Sequence, residues 1–111
     1  MRLITIEMSL GLRRAFKTAC AINDVTMRDI LVQETRNILD NNELTYDTHR
    51  PRQGEGMCLL SVNLEEDFLE EVRYRKQTEG DKIRDIYITA IINYLDKNNI
   101  NYDYSNDIQG D

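Results

Sequence analysis

The stretch Ile4-Thr5-Ile6-Glu7-Met8-Ser9 decides how this chain is read, because it has a counterpart 56 positions further on, Leu60-Ser61-Val62-Asn63-Leu64-Glu65. Apolar and polar residues alternate in both, the period of a half-buried strand. The same shift continues without a gap. Met27-Arg28-Asp29-Ile30 falls on Ile83-Arg84-Asp85-Ile86, Asn37 on Asn93, Leu39-Asp40 on Leu95-Asp96 and Asn42 on Asn98. Apolar positions agree more widely: Leu12 with Phe68, Phe16 with Val72, Leu31 with Tyr87, Ile38 with Tyr94. Strand and helix periods stay in register together, which predicts an internal duplication.

Working outward from the first strand, over residues 2–8, Ser9 stands where a helix N-cap belongs. Leu12, Phe16, Ala19 and Ile22 then recur at helical spacing, predicting a helix over 10–22 that Asn23-Asp24 ends. Thr26 and Asp29 form a capping pair for a second helix over 27–40. Residues 43–57 hold the only proline, Pro51, and the Gly54-Glu55-Gly56 triplet, and read as a linker. The second copy gives a strand over 58–64 and helices over 66–78 and 82–97, with Gly80 at the place of Asp24. The expected organisation is a first repeat over 1–42, the linker, a second repeat over 58–97, and an acidic, Asn-rich tail over 98–111 expected to be disordered.

One strand with two short helices leaves an open strand edge and an uncovered apolar face. Two copies remove both problems. The strands are expected to pair as an antiparallel ribbon, with Ile4, Ile6, Met8, Leu60, Val62 and Leu64 turned towards a core closed by four helices. Thr5, Glu7, Ser61 and Asn63 then lie in a row on the outer face.

Composition bounds the function. A chain of 111 residues with 41% hydrophobic content makes one modest domain. No apolar run approaches the roughly 20 residues of a membrane span, and Met1-Arg2 leads straight into a strand rather than a signal peptide. Cys20 and Cys58 occupy non-equivalent places and form neither a disulfide framework nor a metal motif, so a reduced, cytoplasmic protein is expected. Residues 1–56 hold eight Lys/Arg and eight Asp/Glu, whereas residues 57–111 hold six and twelve, so the net charge of −6 belongs to the second half. That balance counts against nucleic-acid binding, which usually shows a basic surface. No nucleophile with a base, no phosphate-cradling glycine loop and no paired metal ligands appear, so neither an enzyme nor a cofactor is expected.

The strand–helix–helix order, with Ile4–Ser9 opening the first helix and Val25-Thr26-Met27-Arg28-Asp29-Ile30-Leu31 opening the second, resembles the ribbon–helix–helix superfamily. That superfamily includes the Arc and MetJ repressors, plasmid copy-number and partition proteins, conjugation accessory proteins and many antitoxins. The resemblance covers about 2–42 and 58–98. It implies a mainly α fold with a two-stranded antiparallel ribbon, built here as a tandem pseudo-dimer within one chain. It further implies sequence-specific binding of double-stranded DNA, with the ribbon inserted in the major groove. Carried over by position, the base readers are Thr5, Glu7, Ser61 and Asn63, flanked by Leu3 and Leu59. The start of each second helix clamps a phosphate, which assigns Thr26, Met27 and Arg28 in the first copy and Lys82, Ile83 and Arg84 in the second, with Arg2 at the strand start.

The pattern departs from the family at Glu7, whose charge repels phosphates unless it accepts from a cytosine amino group. Alternatives stand beside each assignment. The row of polar strand residues is also readable as a solvated face, and Arg28 and Arg84 as surface ion pairs with Asp29 and Asp85. His49 reads as plain linker, and Arg50-Pro51-Arg52 as linker or as an arm touching the DNA backbone. The competing function is an acidic protein-interaction module, with an antitoxin whose tail holds a protein partner as its special case. The pseudo-dimer is expected to be a monomer in solution that self-associates, if at all, on DNA.

Overall fold

A computed structural model describes residues 1–41, 57–75 and 83–100. The element order is β1 (Arg2–Ser9), α1 (Leu10–Ile22), α2 (Met27–Asn41), β2 (Met57–Leu64), α3 (Glu66–Arg75) and α4 (Ile83–Lys97), so strand–helix–helix occurs twice. The fold is mainly helical with one two-stranded antiparallel sheet. Linker residues 43–56, Gly80, Lys82 and the tail from 101 lie outside the described residues, as does the predicted end of the third helix beyond 75.

The register pairs Arg2 with Leu64, Ile4 with Val62, Thr5 with Ser61, Ile6 with Leu60 and Met8 with Cys58. Alternation then sorts the faces. Ile6, Met8, Leu60, Val62 and Leu64 are buried, and Ile4 is half-buried against them. Each strand also lies against the second helix from the other half of the chain, β1 on α4 and β2 on α2, while α2 packs on α4. The core that results joins Leu12, Phe16, Leu31, Phe68, Val72 and Ile91 in one cluster. Phe16 and Tyr94 meet edge to face at 6.2 Å between ring centroids, inside the range that favours such pairs.

Local chemistry sets the element ends. The Leu12 amide donates to Ser9 Oγ at 3.1 Å and the Asp29 amide to Thr26 Oγ1 at 3.1 Å, so both expected N-caps form. Helix α1 closes with the Val25 amide donating to Cys20 O at 3.0 Å and the Asp24 amide to Ala21 O at 3.3 Å. Asp24 takes the left-handed φ of 54° that this closure needs. Helix α4 ends in the same way: Ile100 donates to Leu95 O at 3.0 Å, Asn99 to Asp96 O at 3.1 Å, and Asn99 has φ 57°. Asn98–Ile100, read from sequence as the start of the tail, therefore belong to the cap of α4, and Ile100 packs against the core. The two ends are tied together by Asn23 Nδ2, which donates to Tyr94 Oη at 2.7 Å and to Asn98 Oδ1 at 2.9 Å.

Candidate nucleic-acid interface

The outer face of the ribbon follows from its inner face. Once the even-numbered positions of both strands turn inward, Leu3, Thr5, Glu7, Leu59, Ser61 and Asn63 must turn outward, and all six are exposed. They form three cross-strand pairs: Leu3 with Asn63, Thr5 with Ser61, and Glu7 with Leu59. At about 3.4 Å per residue the row is about 14 Å long, and with strands about 4.8 Å apart it is narrow enough for a groove about 12 Å wide. Thr5 and Ser61 at the centre can donate or accept. Asn63 offers both functions at once, Glu7 only accepts, and the leucines do neither. The four expected readers thus stand together on one uncovered surface.

The flanks of the ribbon differ. Beside β1, Arg2, Arg73 and Arg84 line one groove of about 650 Å³ together with Leu3, Thr5 and Glu7. Arg84 is anchored there: its Nε donates to the Glu7 main-chain oxygen at 2.9 Å, and its Nη1 lies 3.6 Å from Asp85 Oδ1. Ile83, the first residue of α4, also lines this groove, so the start of α4 stands next to β1. Buried Tyr87 also lines it, and burial pushes the phenol pKa up to about 12, which keeps the ring neutral.

Along α2, at the Met1 and Glu65 end of the ribbon, Arg28 and Arg36 share a groove with Asp29, Glu65 and Asp67. There Arg28 Nη1 lies 3.2 Å from Met1 Sδ and its Nε 3.9 Å from Asp29 Oδ1. Among the described lining residues, cations therefore outnumber carboxylates on the α4 side and are outnumbered by them on the α2 side. Thr26 and Met27 line neither groove. The Thr26 hydroxyl is engaged with the Asp29 amide, while the first amides of any helix lack partners within it. The ion pairs Arg28–Asp29 and Arg84–Asp85, foreseen as the alternative to phosphate binding, both form. Lys82 lies outside the described residues.

One cation in this setting was missed from sequence. Arg73 on α3 joins Arg2 and Arg84, and its signal was available, since the shift of 56 places Lys17 on Arg73 and so repeats a cation at one helical position.

Among the described residues no cluster of three or more His, Cys, Asp or Glu side chains converges to hold a metal ion, and no helix is long and apolar enough to cross a membrane. Comparison with protein-family models, with characterised proteins and with solved structures finds no match to this chain.

Proposed function

We propose that the chain is a tandem ribbon–helix–helix pseudo-dimer that binds double-stranded DNA in a sequence-specific way through the outer face of its ribbon. The observation that carries this reading is the uncovered row of hydrogen-bonding strand residues, Thr5, Glu7, Ser61 and Asn63, with Arg2, Arg73 and Arg84 beside it. A second observation supports the pseudo-dimer. Thr5 and Ser61 are equivalent under the 56-residue shift and face one another across the ribbon, so a two-fold relating the copies passes between them. The exchange of partners, β1 on α4 and β2 on α2, has the same symmetry.

In this reading the side chains of the row read base edges, while Arg2, Arg84, Lys82 and the helix starts at Thr26–Arg28 and Ile83 face phosphates. Because Glu7 and Asn63 are equivalent under the shift but chemically different, the two half-sites differ and the preferred duplex is not a palindrome. Selection of the full chain on random duplexes at low salt tests this. Enrichment of one sequence is expected, with affinity that falls as salt rises. Asn63→Ala then relaxes preference at one position, whereas Arg2→Ala and Lys82→Ala weaken all sequences alike. Equal losses from the two kinds of change would discredit these roles.

A protein-interaction module is the second reading. It is favoured by one observation: the outer face itself carries no cation, but holds Glu7 and two leucines that are 60% and 56% exposed. Failure of every duplex to be enriched would leave this reading in place, with the tail beyond 100 as one candidate contact.

A further inference from the structure

Resting on the DNA-binding reading, we propose that Leu3 and Leu59 determine specificity by packing on the C5-methyl groups of thymine in the major groove. Single exposed leucines on a protein surface need no explanation. These two are not scattered. They fall on one another under the 56-residue shift, and they flank the central Thr5–Ser61 pair on the face that is proposed to meet DNA. They are 60% and 56% exposed, in strands where Ile6, Met8, Leu60, Val62 and Leu64 are buried and Ile4 is half-buried.

The chemistry of the groove narrows what such side chains can read. Purine edges and cytosine present hydrogen-bonding groups there, and thymine alone adds a methyl. An aliphatic side chain that neither donates nor accepts gains only from that methyl, and it leaves groove acceptors and donors unpaired at any other base. Each leucine also has a hydrogen-bonding neighbour directly opposite, Asn63 beside Leu3 and Glu7 beside Leu59. Cβ atoms of such a pair lie about 5 Å apart, so both members reach the same base-pair step or adjacent ones. At the Leu3 end, Asn63 suits adenine and Leu3 suits thymine, which together specify A·T pairs. At the Leu59 end, Glu7 suits cytosine and Leu59 a neighbouring thymine.

The spacing follows from the register. Leu3 and Leu59 sit at diagonal corners of the face, four strand positions apart, or about 14 Å. With about 3.4 Å between successive base pairs, a ribbon lying along the groove sets the two thymines roughly four steps apart. The two-fold between Thr5 and Ser61 puts them on opposite strands.

The test uses the full chain and the duplex that selection enriches. Each thymine in turn is replaced by deoxyuridine, which removes the C5-methyl and keeps every hydrogen-bonding group. Two positions are expected to lose affinity by about fourfold each, the ratio that corresponds to one buried CH₂, and about fifteenfold together. In Leu3→Ala one of these positions becomes insensitive to the replacement, and in Leu59→Ala the other does. Both leucines are exposed, so unchanged thermal melting is the control for folding. Salt-dependent binding of an enriched duplex with no loss at any deoxyuridine overturns this inference and leaves the DNA reading standing. Methyl sensitivity that persists unchanged in both variants also overturns it. Absence of any enriched duplex overturns the two together.

Discussion

Helices α2 and α4 occupy the same place in their halves of the chain, have the same length and open on nearly the same residues, yet they do different work. Met27-Arg28-Asp29-Ile30 begins one and Ile83-Arg84-Asp85-Ile86 the other. On α4 an unbroken run from Asp85 to Ile91 is buried, as are Tyr94 and Leu95. On α2 burial is confined to one stripe, Ile30, Leu31, Glu34, Thr35, Ile38 and Leu39. Asp29 leaves 70% of its side chain in water while Asp85 leaves 7%. A helix that is apolar all round must be covered all round, and α4 is covered by α1, α2 and β1. The lesson is that a shared motif fixes where a helix goes but not how much it is asked to hold. α4 became the centre of the core and carries the ribbon's cationic flank at its start, whereas α2 kept a wet face.

The largest test of that contrast lies at the matched aspartates. Asp85→Ala removes a buried partner of Arg84 and is expected to lower unfolding free energy by about 3 kcal/mol. Asp29→Ala removes an exposed charge and is expected to cost less than about 1 kcal/mol. Denaturant midpoints measure both, and equal costs would refute the difference in load between α2 and α4. The next test uses Thr35 and Ile91, which the shift of 56 superposes. Both are fully buried, but Thr35 Oγ1 has no hydrogen-bond partner among the described residues. Thr35→Val is expected to stabilise by about 1 kcal/mol, because it removes a desolvated hydroxyl at nearly constant volume. The opposite exchange, Ile91→Thr, is expected to destabilise by about 2 kcal/mol.

The first strand and the starts of the first two helices were legible in the sequence because they have a clean period and a chemical signal at the boundary. Alternation from Ile4 to Met8 gave β1, and Ser9 and Thr26 marked the helix starts where their hydroxyls now accept. The polar row was legible too, since inward Ile6 and Leu60 force Thr5 and Ser61 outward. The different fates of Asp29 and Asp85 were not. Their neighbours along the chain are alike, and only packing by distant segments separates them. The near-continuous apolar run Ile86–Ile91 did contain a hint that α4 is buried on several sides. The end of α4 at residue 97 was legible, but the tail was started too early because Asn98 and Asn99 read as polar, whereas a left-handed Asn followed by an apolar Ile100 is a helix-closing pattern.

Alkaline pH should act on two buried groups, Cys20 on α1 and Tyr87 on α4. Burial pushes the Cys20 thiol up to about 11 and the Tyr87 phenol up to about 12, from 9.0 and 10.0. Tyr87 takes the position that Leu31 holds on α2. Both groups keep their protons longer in the folded chain than in the unfolded one. Their contribution is therefore fully present below pH 9 and is lost as pH rises from 9 to 11 for Cys20 and from 10 to 12 for Tyr87. Denaturant midpoints should fall above pH 9, with a slope of at most about 1.4 kcal/mol per pH unit for each group. Tyr87→Phe should flatten the upper part of that fall. An unchanged profile in the variant would place the alkaline sensitivity elsewhere.

The smallest expected effect lies on the wet face of α2. Arg36, which superposes on half-buried Ile92 of α4, pairs with Glu71 on α3 at 3.1 Å, and its guanidinium stands 5.4 Å from the centre of the Phe68 ring. Charge and stacking can be separated, since Glu71 supplies only the first. Glu71→Gln should cost less than about 1 kcal/mol, and that cost should fade in about 1 M salt, where screening acts within about 3 Å. Arg36→Ala should cost more and keep part of its cost in salt, because the contact with Phe68 is less screened. Arg36→Ile copies the residue that α4 uses and should remove the share of salt dependence that the Arg36–Glu71 pair supplies, leaving that of Arg75 and Asp40, which also join α3 to α2 at 2.6 Å. If the natural chain is already insensitive, the ion pair contributes nothing there, and the aromatic contact alone distinguishes this side of α2 from the apolar surface of α4.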